Sequence, residues 1–139
     1  MNLLRVLGGI VLFVFLFSSC DNENSFQKFE MPKGGLILHY NKSQRVSENM
    51  VLKIVKIEDD RCPIGVCCSS VGGVTVFFES YVNNNNSEFS VVYVKNHPES
   101  LTTFNEYEIS IVDVLPYRFD DDVEIEINDF RIYLNVVSK

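Results

Sequence analysis

The chain has 139 residues with 12 Lys and Arg against 19 Asp and Glu, a formal charge of −7 at neutral pH. Its cations stand singly among acidic neighbours, which excludes nucleic acid as a partner, since phosphate backbones are held by clustered Lys and Arg that release counterions. Hydrophobic residues make up 46% of the sequence, so a chain of this length is expected to bury one core and fold as one domain after any leader is removed.

Residues 1–19 begin with a lone cation, Arg5, and run from Val6 to Phe17 without a charge before the small pair Ser18-Ser19. This is the pattern of a secretory signal peptide, and its apolar run falls short of the roughly 20 residues that cross a bilayer as a helix. The segment Leu16-Phe17-Ser18-Ser19-Cys20 resembles the lipobox of bacterial lipoproteins, whose cysteine thiol takes a diacylglyceryl group before a dedicated peptidase cuts on its N-terminal side. The resemblance implies lipid attachment at Cys20 and a membrane partner reached through that anchor. Each buried methylene contributes about 0.8 kcal/mol, so two or more acyl chains on one residue hold it durably. Residues 20–33 read as a polar tether. Within it, Asp21-Asn22-Glu23-Asn24 resembles the surface-export signal of lipoproteins from Bacteroides-like bacteria, which implies an outer-membrane, outward-facing location.

From residue 34 to residue 139 apolar side chains recur with period two, the spacing of a strand with one buried face. Strands are predicted at Gly35 to Tyr40, Met50 to Glu58, Val74 through Phe78 to Val82, Glu88 to Val94, Tyr107 to Leu115, Val123 to Ile127, and Phe130 to Val136. Within them Val74, Val76 and Phe78 share a face, as do Phe89, Val91 and Tyr93, and Phe130, Ile132, Leu134 and Val136. Turn chemistry separates the runs at Gly34-Gly35, Gly72-Gly73, Asn96-His97-Pro98 and Asp120-Asp121-Asp122. Asparagine tolerates positive φ, so Asn83 to Asn86 reads as a hairpin turn. No stretch reads as a helix. The expected fold is all-β, an antiparallel immunoglobulin-like β-sandwich of six to eight strands, with a small barrel as the alternative.

The strand pattern breaks at Asp59-Asp60-Arg61-Cys62-Pro63-Ile64-Gly65-Val66-Cys67-Cys68-Ser69-Ser70-Val71-Gly72. Three cysteines in one loop of an exported chain are disulfide candidates. Metal binding is disfavoured, because structural zinc sites use four ligands, usually as two short pairs, and neither His39 nor His97 is near in sequence. The stretch resembles a family of uncharacterised cell-envelope lipoproteins of Bacteroides-like bacteria that share Asp-x-Arg-Cys-Pro followed by Val, Cys and Gly, here Asp59, Arg61, Cys62, Pro63, Val66, Cys68 and Gly72. Tyr107 to Tyr117, ending in Pro-Tyr, and the closing strand from Asp129 to Val137 also resemble that family, whose members usually carry Trp where this chain has Ser70. The resemblance implies a disulfide between Cys62 and Cys68, with Cys62–Cys67 the competing pairing. Cys67 is then a possible free thiol.

Asp120 to Asp122 with Glu124, Glu126, Asn128 and Asp129 match no EF-hand spacing, and the glutamates read as a solvated strand face. No Gly-x-Ser-x-Gly elbow and no glycine-rich phosphate loop occurs, so no catalytic residue is nominated and no cofactor is expected. Tyr117, Arg118 and Phe119 are a candidate recognition surface. The expected role is that of a lipid-anchored binding or structural module rather than an enzyme, its protein or glycan partner unidentified. The alternative is thiol redox or metal scavenging through Cys67.

Overall fold

The computed structural model describes residues 35–97, 101–119 and 124–139. The leader, Cys20 and the tether lie outside them. The described residues form eight strands: β1 (Leu36–His39), β2 (Ser43–Arg45), β3 (Met50–Asp59), β4 (Val74–Val82), β5 (Asn85–Tyr93), β6 (Leu101–Phe104), β7 (Tyr107–Leu115) and β8 (Arg131–Ser138). They assemble as two four-stranded antiparallel sheets, one in the order β1-β8-β7-β6 and the other in the order β2-β3-β4-β5. The sheets do not close on one another, so the fold is the expected β-sandwich and not the barrel.

Alternation decides which side chains meet between the sheets. Val74, Val76 and Phe78 of β4, Val91 and Tyr93 of β5, and Ile132 and Leu134 of β8 are buried, as the period-two reading requires. Met50, Leu52 and Ile54 of β3 and Ile109, Ile111 and Val114 of β7 complete the same core. Phe89 stacks on Phe78 at 5.2 Å between ring centroids and on Phe104 at 4.5 Å, which carries an aromatic column from the second sheet into the first.

Two bulges interrupt this alternation. In β3 the register against β4 shifts between Ile54 and Lys56, so Ile57, three residues after Ile54, packs against the core. In β7 the register against β8 shifts between Ile111 and Asp113, and Asp113 and Val114 are consecutively buried. Each bulge re-aims the last residues of a long strand, and both strands end at the same pole of the sandwich.

The asparagine run forms the expected hairpin. Asn83 and Asn84 occupy the two turn positions with φ of 50° and 67°, the conformation that lets a two-residue loop follow the twist of its strands. Asn85 and Asn86 belong to β5 rather than to the turn.

The expected strand at Val123 to Ile127 is corrected. Glu124 to Glu126 carry no ladder, and Ile127–Asp129 is a single 3₁₀ turn. Ile125 still packs against the core, which explains the alternating pattern, but β8 is already flanked by β1 and β7, and Glu124 to Glu126 join neither sheet. Strands β2 and β6, absent from the sequence reading, are edge strands of three and four residues, too short for a period to show.

Phe78 lies at the centre of the sandwich with no exposed surface. Truncation to alanine removes the buried end of the aromatic column and is expected to cost about 3–5 kcal/mol. The urea midpoint of Phe78→Ala, at an unchanged denaturant slope, reports the loss, and a change below about 1 kcal/mol would mean that the two sheets do not pack here.

Candidate functional site

The residues singled out by the cysteine motif converge at the pole where β3 and β7 end. Asp59 closes β3, and the Arg61 guanidinium folds back on it in a two-pronged pair, Nε to Oδ1 at 2.8 Å and Nη2 to Oδ2 at 2.7 Å. The Arg61 backbone amide also donates to Asp59 Oδ1 at 3.1 Å. The remaining guanidinium donors cross to the other sheet, Nη1 to the Val114 carbonyl at 2.8 Å and Nη2 to the Pro116 carbonyl at 2.9 Å. The Arg61 and Asp59 side chains are only 11% and 13% exposed, so water competes weakly and the bidentate geometry counts.

Beyond Arg61 the loop continues the β3–β4 hairpin, with the Asp60 amide donating to Gly73 and the Cys62 amide to Val71. Gly72 sits at φ 64°, and a Cβ there would overlap the Asp60 carbonyl oxygen, so the backbone crossing admits only glycine. Cys62 and Cys68 form a disulfide, the pairing the family resemblance implies, with Gly65 turning between them at φ 90°. Closing so short a loop contributes about 2 kcal/mol through the unfolded chain. The Ile64 amide donates to the Arg118 carbonyl at 2.7 Å, a second stitch between the loop and the segment after β7.

Asp113 lies beside this clamp, 2% exposed. Its carboxylate accepts from Tyr93 Oη at 3.1 Å, Tyr117 Oη at 2.6 Å and the Val114 amide at 2.9 Å. Tyr93 belongs to the second sheet and Asp113 to the first, so this group also spans the sandwich. Burial raises both phenols well above their ordinary value, and the Asp113 carboxylate raises them further by opposing a second negative charge and by accepting the phenolic protons. Lys95 Nζ sits 5.0 Å above the Tyr117 ring. Tyr117 is thereby a structural tyrosine rather than an open recognition residue, while Phe119 is 57% exposed.

Cys67 is also disulfide-bonded, and no described cysteine is free. The expected free thiol at Cys67 is therefore corrected, and with it the competing Cys62–Cys67 pairing. Among the described residues no group of three or more His, Cys, Asp or Glu is placed to hold a metal ion. Asp120 to Asp122 lie outside them.

The opposite pole carries a cleft of about 570 Å³ where the β2–β3, β4–β5 and β6–β7 turns come together. Its walls include Asn49, Asn83, Asn85 and Asn105 with Ser87 and Tyr107. The asparagine run is legible in the sequence as turn chemistry, whereas nothing in the sequence marks Asn49 or Asn105. These residues are distributed over three hairpins, and only the fold brings them together.

Comparison with family models, with curated proteins and with solved structures gives no match.

The tyrosine shifts fix the alkaline limit of stability. A phenol whose folded-state pKa is raised contributes stabilisation that is complete below the unfolded value near pH 10 and is lost as pH climbs from there towards the folded value. The urea midpoint is expected to fall as the pH rises above about 10, and the Tyr93→Phe/Tyr117→Phe double variant should show a shallower fall. Equal slopes for both proteins would remove the Asp113 group as the cause.

Proposed function

We propose that the protein is a lipid-anchored component of a bacterial cell envelope, held by a diacylated Cys20 in the outer membrane with its β-sandwich outward as a binding or structural module. The observation that carries this reading is the apolar leader ending in Leu16-Phe17-Ser18-Ser19-Cys20, with small residues ahead of the cysteine and the acidic Asp21 after it. The tether of residues 20–33 suits a domain displayed at a distance, and the net negative charge suits one kept off anionic headgroups.

The use made of the motif residues supports a non-enzymatic role. Asp59, Arg61, Asp113, Tyr93 and Tyr117 direct their polar groups at one another or at backbone carbonyls, which is how a structural brace is satisfied. The motif shared with the envelope family is, on this reading, a folding device for a displayed module.

Cys20→Ala is expected to leave the sandwich folded and to move the protein from the membrane to the soluble fraction. Peptide mass spectrometry of the wild-type protein should find Cys20 as the first residue, carrying the mass of a diacylglyceryl group. One sulfur holds either a thioether or a disulfide, so an anchored Cys20 leaves Cys67 to pair outside this chain, and Cys20 recovered bare, removed, or linked to Cys67 would overturn the anchor.

A further inference from the structure

The cleft at the pole opposite the disulfide loop is chemically unlike the rest of the surface. Four primary amides, those of Asn49, Asn83, Asn85 and Asn105, share it with the Ser87 hydroxyl and Tyr107. Among the described residues, no protein group takes up these four amides, whereas the neighbouring Asn86 is engaged by Glu79 at 3.0 Å. Each free amide offers two donors and an acceptor with two lone pairs.

Backbone geometry accounts for only half of them. Asn83 and Asn105 have φ of 50° and 53° and serve their turns. Asn49 and Asn85 are not in that region, and Asn85 lies in β5, where asparagine is a poor strand former. Their presence on the cleft wall is a matter of side-chain chemistry.

Tyr107 is half-buried, and its hydroxyl accepts from Ser47 Oγ at 3.0 Å, which holds the ring in place. Among the described residues of the lining, Glu106 is the one that is charged, and none is Lys or Arg. A phosphorylated, sulfated or carboxylated ligand would meet negative charge without a counter-charge. An apolar ligand or a peptide anchored by large side chains would find little beyond Val82 to pack on, since small-ligand sites of about 300–1,000 Å³ are ordinarily lined mostly by hydrophobic groups.

We propose that this cleft binds a neutral oligosaccharide, with the Asn49, Asn83, Asn85 and Asn105 amides pairing to sugar hydroxyls and the Tyr107 ring packing on a sugar face. Hydroxyls in vicinal pairs match the donor-and-acceptor character of an amide, and rigid hairpins fix where each amide is offered. The inference deepens the binding-module reading above and rests on it.

The test is a titration of the ¹⁵N-labelled full chain in detergent with neutral hexasaccharides, namely maltohexaose, cellohexaose, mannohexaose, xylohexaose and chitohexaose, against polygalacturonate as an anionic control. One or more of the neutral sugars should shift the side-chain amide signals of Asn49, Asn85 and Asn105, and the control should not. In Asn49→Ala/Asn85→Ala, two exposed positions whose loss leaves the fold intact, affinity should fall about tenfold or more. Signals that stay fixed with all five sugars, or an affinity unchanged in the double variant, would overturn the proposal. Shifts confined to another face would sink the cleft while leaving a binding module in place, and the membrane anchor is judged separately by Cys20→Ala.

Discussion

The two sheets are joined at one pole by a guanidinium. Arg61 leaves the end of β3, pairs with Asp59 on its own sheet, and hands its other donors to the carbonyls of Val114 and Pro116 on the facing one. Both strands reach that point through a bulge. A bulge alone would leave the strand ends splayed and their carbonyls poorly served. The planar fork of arginine spans the gap and satisfies both sides at once, which a lysine ammonium on its flexible stem would not do with the same geometry.

Asp113 extends the same brace from the other direction. Its partners Tyr93 and Tyr117 come from β5 and from the segment after β7, so one carboxylate gathers three parts of the chain. The disulfide between Cys62 and Cys68 then shapes a loop that is already held at its base by Arg61 and at its crossing by Gly72. The molecule divides accordingly: one pole is spent on holding the sandwich together, and the other, where three tight hairpins meet, presents unpaired amides to solvent. That division leaves one end of the sandwich chemically available.

Period two was enough to read the faces of β4, β5 and β8, because Val76, Ile132 and their neighbours alternate without interruption against a single core. It misled at Val123 to Ile127, where alternation reflects Ile125 touching the core while Glu124 to Glu126 join neither sheet. The bulges were invisible, since an extra residue in β3 or β7 looks like any other strand residue until its partner is known. Asp59 and Arg61 were legible as part of a motif, while their task was not: the carbonyls of Val114 and Pro116 to which Arg61 donates are more than fifty residues away and leave no mark in composition. The cleft was hidden for a related reason, as Asn49, Asn85 and Asn105 acquire meaning only when three turns share one end. Strand order likewise depends on pairings between distant segments.

The brace stands or falls on Arg61→Met, which keeps the length of the side chain and removes its donors. Equilibrium urea unfolding of the disulfide-intact variant should show a loss of about 3–5 kcal/mol, because Asp59 is left as an unpaired, nearly buried carboxylate and two carbonyls lose their donor. A variant within about 0.5 kcal/mol of wild type, the behaviour of an exposed ion pair, would contradict the account and leave the hydrophobic core and the Asp113 group to join the sheets.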